Sequence, residues 1–225
     1  MEPRDSYFEV QASLGITKHM GGFKATEKLV ELCHITRDKY VLVIGCGVGI
    51  TSCYLAEKHG CRVVGIDISG QMVKRSKDRS RRRGVQNRVE FRVADAQDLP
   101  FEDITFDAII CESVNAFIGD RPGALREYMR VAKHGGYIGL NEVTWLKEPP
   151  SGLVVYLHRT MGGEFLMEDG WRGLLEDSGL GEILTLVYKT NVISQWTSEV
   201  RQFEFLDFIR TWCRYLYMQI GRAHV

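Results

Sequence analysis

Residues 41–49 read Val-Leu-Val-Ile-Gly-Cys-Gly-Val-Gly, four apolar residues running straight into glycines at 45, 47 and 49. A short continuous apolar run is how a strand buried on both faces reads, and such strands belong to parallel sheets covered by helices on both sides. Glycines at alternate positions directly after it let the backbone turn sharply and approach a ligand with no Cβ in the way. In an open parallel sheet the first strand-to-helix turn lies where strand order reverses, and ligands bind there, beyond the carboxyl ends of the strands. This one feature therefore selects a doubly wound α/β fold with a ligand at the turn.

The rest of the chain keeps the rhythm that such a fold needs, alternating helix and strand from residue 24 onward. The apolar spacing predicts helices over residues 24–34, 50–59, 70–83, 122–132 and 168–178, the fourth with Pro122 in its first turn. It predicts strands over 40–44, 62–66, 89–93, 106–111, 137–143 and 182–189, the fifth entered through Gly135-Gly136. Residues 145–163, punctuated by Pro and Gly, are too long for a simple crossover and read as a functional loop or cap. Over 197–218, Val200, Phe203, Leu206, Phe208, Ile209, Trp212, Tyr215 and Leu216 recur at roughly helical intervals, as in a helix that packs on the sheet or covers the pocket, with a membrane-surface or partner-binding helix as the alternative. A chain of 225 residues suits one such domain. Its expected extent is 1–219, with 1–23 and 145–166 as lead-in and cap segments.

Composition removes several classes of function. Lys+Arg and Asp+Glu both number 29, so the formal charge is zero and offers no general attraction to nucleic acid. The basic run Lys74, Arg75, Lys77, Arg79, Arg81, Arg82, Arg83 has no interleaved aromatics to stack bases and reads as a solvated helix face. Six cysteines show neither CxxC pairs nor the Cys/His spacings of a zinc site, so no metal is expected and the thiols read as those of a reduced, cytoplasmic protein. The N-terminus lacks a signal-peptide pattern, and no apolar run approaches the roughly 18 residues that span a bilayer, so no stable membrane insertion is expected. The expected partner is a small molecule, with oligomeric state left open. Residues 220–225, Ile-Gly-Arg-Ala-His-Val, are what one reading frame of a commonly used sequencing adapter encodes, and they read as an artificial tail on a truncated fragment.

The ligand at the turn can be narrowed. A dinucleotide fingerprint, Gly-x-Gly-x-x-Gly, needs its third glycine at position 50, which is Ile50; the pattern here is Gly-x-Gly-x-Gly. Asp67 closes the second strand, eighteen residues after Gly49, placed to accept hydrogen bonds from two ribose hydroxyls. Asp95 closes the third and is placed to accept one from an adenine amino group. In order, "VLVIGCGVG", "VVGIDIS", "VADAQDLPF", "FDAIICESV", "RVAKHGGYIGLNE" and "LLEDSGL" resemble the class I S-adenosylmethionine-dependent methyltransferases, in particular the small-molecule branch of ubiquinone/menaquinone-biosynthesis and sterol C-methyltransferases.

That resemblance implies a Rossmann-like, mostly parallel sheet and S-adenosylmethionine as cofactor. It implies that Gly45, Cys46, Gly47 and Gly49 pass beneath methionine and ribose, that Asp67 binds the ribose, and that Ile68 packs on the adenine. Asp95 and Ala96 would contact the adenine edge, while Cys111 and Glu112 would face the methionine portion. The chain departs from the family at Val43, where an acidic residue is common. The family closes its sheet with a seventh, antiparallel strand inserted beside the fifth; after Lys189 the pattern is only helical, so truncation is expected to have removed that strand. The implied activity is methyl transfer by in-line displacement. The aromatic and apolar residues of the segments expected at the open edge of the sheet (Phe23, Phe117, Trp145, Tyr156, Met161, Phe165) suggest a small, partly hydrophobic acceptor, and His19, Glu112 and His158 are the titratable residues to test as a general base. A non-catalytic S-adenosylmethionine-binding protein and a nucleotide-dependent oxidoreductase are the alternatives.

Overall fold

The computed structural model describes residues 20–187 together with Phe8, Gln11 and Ala12. Five strands form one parallel sheet: β1 (Tyr40–Ile44), β2 (Arg62–Asp67), β3 (Val89–Val93), β4 (Phe106–Glu112) and β5 (Ala132–Asn141), in the spatial order β3-β2-β1-β4-β5. The chain builds outward from β1 to β3, then returns to the other side of β1 for β4. The carboxyl ends of β1 and β4 therefore flank the reversal of strand order, where a ligand crevice is expected. Helices α1 (Gly22–Leu32), α2 (Ile50–Tyr54), α3 (Gly70–Arg82) and α4 (Arg121–Val131) connect or precede the strands, and α2 runs on as a π-helical turn over Leu55–His59.

Alternation along the strands explains the two cores. On β1, Val41 and Val43 point to one face while Leu42 and Ile44 point to the other, because successive side chains of a strand leave opposite faces. The first face packs Val63, Phe91 and Ile110 beneath Cys33, Cys53, Leu55 and Val73 of the helical side. The second packs Ile66, Phe106 and Ile109 beneath Leu125, Tyr128 and Val131 of α4. Two caps fix where helices start: Ser69 Oγ accepts from Met72 N–H ahead of α3, and Asp120 Oδ1 accepts from Gly123 N–H ahead of α4.

Most expected elements appear within a few residues of the predicted limits, with three differences. The fifth strand begins at Ala132, not 137. Phe106 faces Ala132 and Ala108 faces Tyr137, so the extra residues bulge out around Gly135, which lies at φ +71°, and the two glycines sit inside a strand rather than ahead of it. Residues 145–163 hold regular structure: β6 (Thr144–Trp145) and β7 (Leu166–Met167) pair with each other and flank α5 (Ser151–Met161), with α6 (Glu168–Asp177) following. The described part of the expected sixth strand, residues 182–187, forms no ladder, and Leu184, Leu186 and Val187 are exposed. A strand needs a neighbour to satisfy its amide groups, and the family scheme puts a last strand between this segment and β5, a position no described residue fills. Residues 188 and 189, the helix expected over 197–218 and the tail 220–225 lie outside the described residues.

Candidate active site

The glycine turn is built as its sequence requires. Gly45, Gly47 and Gly49 have φ of +60°, +53° and +80°, the left-handed region that side chains disfavour. At Gly45 space is also closed, since a Cβ there would overlap Val114 Cγ2 from the segment after β4. Arg79 holds the turn from behind. It is buried and its Nε donates to the Val48 carbonyl at 2.9 Å, so this member of the basic run, read from sequence as solvated, braces the turn from α3.

Asp67, at the end of β2, is bound to the same turn. Its Oδ2 accepts from Gly47 N–H and its Oδ1 from Ser69 N–H, both at 2.9 Å. Burial raises its carboxyl above the usual range, and the two amide hydrogen bonds offset part of that rise. A carboxylate has about four acceptor directions; with one N–H on each oxygen, acceptor capacity remains on both. Beside it Ile68 is 70% exposed and Val93, closing β3, is 58% exposed, a pair of apolar side chains open to solvent at the strand ends. Asp95 is half-buried, and its Oδ1 takes the Gln97 N–H at 2.9 Å and the Gln97 amide at 3.1 Å. Ala96 is half-buried against the second core.

Glu112, at the end of β4, ties the site together. Its carboxylate accepts from Thr26 Oγ1 of α1 at 3.0 Å and from Thr51 Oγ1 of α2 at 2.8 Å. Thr51 lies in the helix into which the glycine turn leads. Val43 is sealed in the core, 3% exposed, so the carboxylate anchoring that helix comes from the neighbouring strand. Cys111 corrects an expectation: its side chain is fully buried in the second core, 3.9 Å from Tyr128 OH, and its thiol is pushed well above the ordinary range by burial. The residue as a whole is 0% exposed, so it backs the site from within the core. Cys46 is likewise a buried thiol, 3.8 Å from the Gly47 carbonyl.

His19 lies outside the described residues, but its neighbour Met20 is pinned to this end of the sheet. Asn141 Nδ2 donates to the Met20 carbonyl at 2.7 Å, and Met20 N–H donates to Ser113 Oγ at 3.4 Å. Further back in the lead-in segment, Ala12 packs with Val48, and Phe8 meets the Phe117 ring edge-on. Phe117, Phe165 and Trp145 continue as a chain of edge-on rings, at 6.0 and 6.3 Å between centroids, and Gly163 leaves room for Phe117 where a Cβ would strike it. His158 is exposed on α5. A shallow cleft of about 600 Å³ lined by Arg62, Val85 and Arg88 lies at the amino ends of β2 and β3, the opposite end of the sheet.

Sequence reasoning missed Thr26, Thr51, Glu142 and Arg121. Thr26 closes the "HMGGFKAT" stretch and Thr51 follows the turn directly, so a search for hydroxyls near the glycines would have found both. Glu142 and Arg121 bind mainly backbone groups, which no residue pattern reveals.

Comparison with known proteins agrees with this geometry. Residues 42–140 match the family described as "Methyltransferase domain". The chain is 35% identical over 122 residues to methyltransferase GfsG of Streptomyces halstedii, covering 54% of this chain and 44% of that protein. It is 38% identical over 107 residues to a chloroplastic tocopherol O-methyltransferase of Arabidopsis thaliana, covering 48% and 30%. The chain thus spans less than half the length of either. The solved structure of a geranyl diphosphate methyltransferase in complex with SAM superposes with a TM-score of 0.61 at 22% identity, over 68% of this chain and 62% of that one. Strand order and glycine turn agree with that family match, and residues 42–140 carry the fold of the matched methyltransferase domain.

Proposed function

We propose that this domain transfers the methyl group of S-adenosylmethionine to a small, partly hydrophobic acceptor. The observation that carries the reading is Asp67, fixed by Gly47 and Ser69 at the edge of the glycine turn with acceptor capacity on both carboxylate oxygens. There it accepts the two ribose hydroxyls. Gly45, Cys46, Gly47 and Gly49 give the backbone a close approach to methionine and ribose, Ile68 lies under the adenine, and Asp95 with Ala96 borders the adenine edge. Glu112 faces the methionine end, with Cys111 buried behind it.

The cofactor supplies an activated methyl on its sulfonium, so the chain needs no nucleophile of its own. Its residues must align the acceptor and exclude water, and positioning of that kind lowers barriers by roughly 7–11 kcal/mol in well-oriented systems. Phe117, Phe165 and Trp145 form the apolar wall against which such an acceptor lies. Where the acceptor must lose a proton, a base adds about 10²–10⁴-fold; Glu112, His19 and His158 are the residues to test, and of these Glu112 stands at the strand end beside the turn. The five described cysteines are unpaired and buried, which supports a reducing, cytoplasmic setting. Among the described residues no helix is long and apolar enough to cross a membrane.

The test is incubation of the purified chain with methyl-labelled S-adenosylmethionine and a metabolite extract, followed by identification of the labelled product. Label in a small apolar metabolite is expected. Cofactor binding without transfer to any acceptor would mark a non-catalytic binder, and binding of NAD with none of S-adenosylmethionine would sink the reading.

A further inference from the structure

The segment from Ser113 to Phe117, between β4 and α4, is held from both sides by groups the proposed chemistry does not use. On its amide side, Glu142 Oε1 accepts from Val114 N–H at 3.0 Å, Asn115 N–H at 2.8 Å and Asn115 Nδ2 at 3.2 Å, and the Ala116 N–H also faces this carboxylate. On its carbonyl side, the buried Arg121 donates from Nε to Asn115 O at 2.9 Å and from Nη2 to Ala116 O at 3.2 Å. The segment is under constraint as well, since Ser113 lies at φ +61°. Its two ends reach different places: Val114 fills the space against Gly45, and Phe117 joins the aromatic wall.

We propose that Glu142 is a positioning residue for the cofactor site: by holding the amide groups of Val114–Ala116 it seats Val114 against Gly45 and so fixes the glycine turn. The inference rests on the reading of that turn as the S-adenosylmethionine site. It also makes the hold depend on charge, because an ionised carboxylate accepts hydrogen bonds about twice as strongly as a neutral group. Glu142 Oε2 is enclosed with no hydrogen-bond partner, and burial pushes the carboxyl up to about 7. Among the described residues this charge acts on the Cys111 thiol of β4 and the Tyr128 phenol of α4, both pushed upward by burial and therefore neutral through this range, while the Arg121 guanidinium of α4 is the charged group on the far side of the same segment. Glu142 is thus the member of the cluster that changes charge near neutrality, and deprotonation tightens the seat of the turn.

The experiment is calorimetric titration of the full chain with S-adenosylhomocysteine, for wild type, Glu142→Gln and Glu142→Ala, from about pH 6 to about pH 8. The ratio of wild-type to Glu142→Gln affinity cancels every other titrating group. It is expected to grow from near one at the acid end to about tenfold at the alkaline end, as charge-assisted hydrogen bonds replace neutral ones. Glu142→Ala is expected to bind about tenfold more weakly or worse while still melting cooperatively. A ratio that stays constant across the range overturns the proposal, as does a folded Glu142→Ala protein with wild-type affinity. If Glu142→Ala does not fold, the Gln ratio decides alone. A wild-type protein that binds no S-adenosylhomocysteine overturns the reading of the site itself.

Discussion

Asp67 serves the fold directly and, in the proposed site, the ligand as well. Its two amide partners, Gly47 and Ser69, tie the glycine turn to the start of α3, and the same oxygens are the ones that the proposed site offers to a ribose. Asp67→Ala should therefore weaken cofactor binding by about 1.5–3 kcal/mol, the worth of hydrogen bonds to a charged group, or roughly ten- to hundredfold. Calorimetry showing unchanged affinity would remove the ribose assignment. Glu142 makes a prediction about stability. Its carboxyl rises from 4.5 to about 7 on folding, so the folded chain holds the proton more tightly than the unfolded chain does. The associated stabilisation is complete below about 4.5 and is lost as pH climbs through about 7, a change of about 3 kcal/mol. Wild type should lose stability relative to Glu142→Gln over that interval in urea unfolding; parallel pH profiles would show that the group does not titrate as described.

The turn between β1 and α2 works only because β4 presents Val114 to it. Gly45→Ala forces a side chain into a φ of +60° and into Val114, and should cost about 1–3 kcal/mol along with cofactor affinity. Adding Val114→Ala should recover the part due to overlap and leave the part due to φ, so thermal melts of the double mutant separate the two; strict additivity would deny the contact. The same elements show what a sequence can disclose. β1, β2 and β4 were legible because strands buried on both faces read as apolar runs, β3 (Val-Glu-Phe-Arg-Val) because apolar and charged residues alternate along it, and Asp67 because it ends β2. The start of β5 was not, because Gly135-Gly136 carries a turn signal that pairing with β4 turns into a bulge. Residues 182–187 have a strand's apolar content, but a ladder is a property of two segments, and theirs lacks a described partner. Glu142 and Arg121 were invisible for a similar reason: their main partners are amide and carbonyl groups of a segment elsewhere in the chain, and every residue except proline carries both.

At the scale of the molecule, the domain divides into a tightly packed sheet and a cap that is loosely bound to it. Both cores lie against the five strands, whereas α5 contains no buried residue, and Leu153, Val154, Val155 and Tyr156 are between 38% and 64% exposed. Val155→Lys and Tyr156→Lys should each change unfolding stability by no more than about 0.5 kcal/mol, as exposed substitutions do, while reducing binding of a hydrophobic dye. A loss of several degrees in melting temperature would show that α5 is part of the core. A cap that contributes so little to folding can drift in sequence, or be exchanged between relatives, at small risk to the half that carries the proposed donor site. Lineages sharing this sheet are then free to diverge in what they methylate while inheriting the donor chemistry unchanged, and an engineer seeking a new acceptor would randomise residues 145–166 and leave the glycine turn alone.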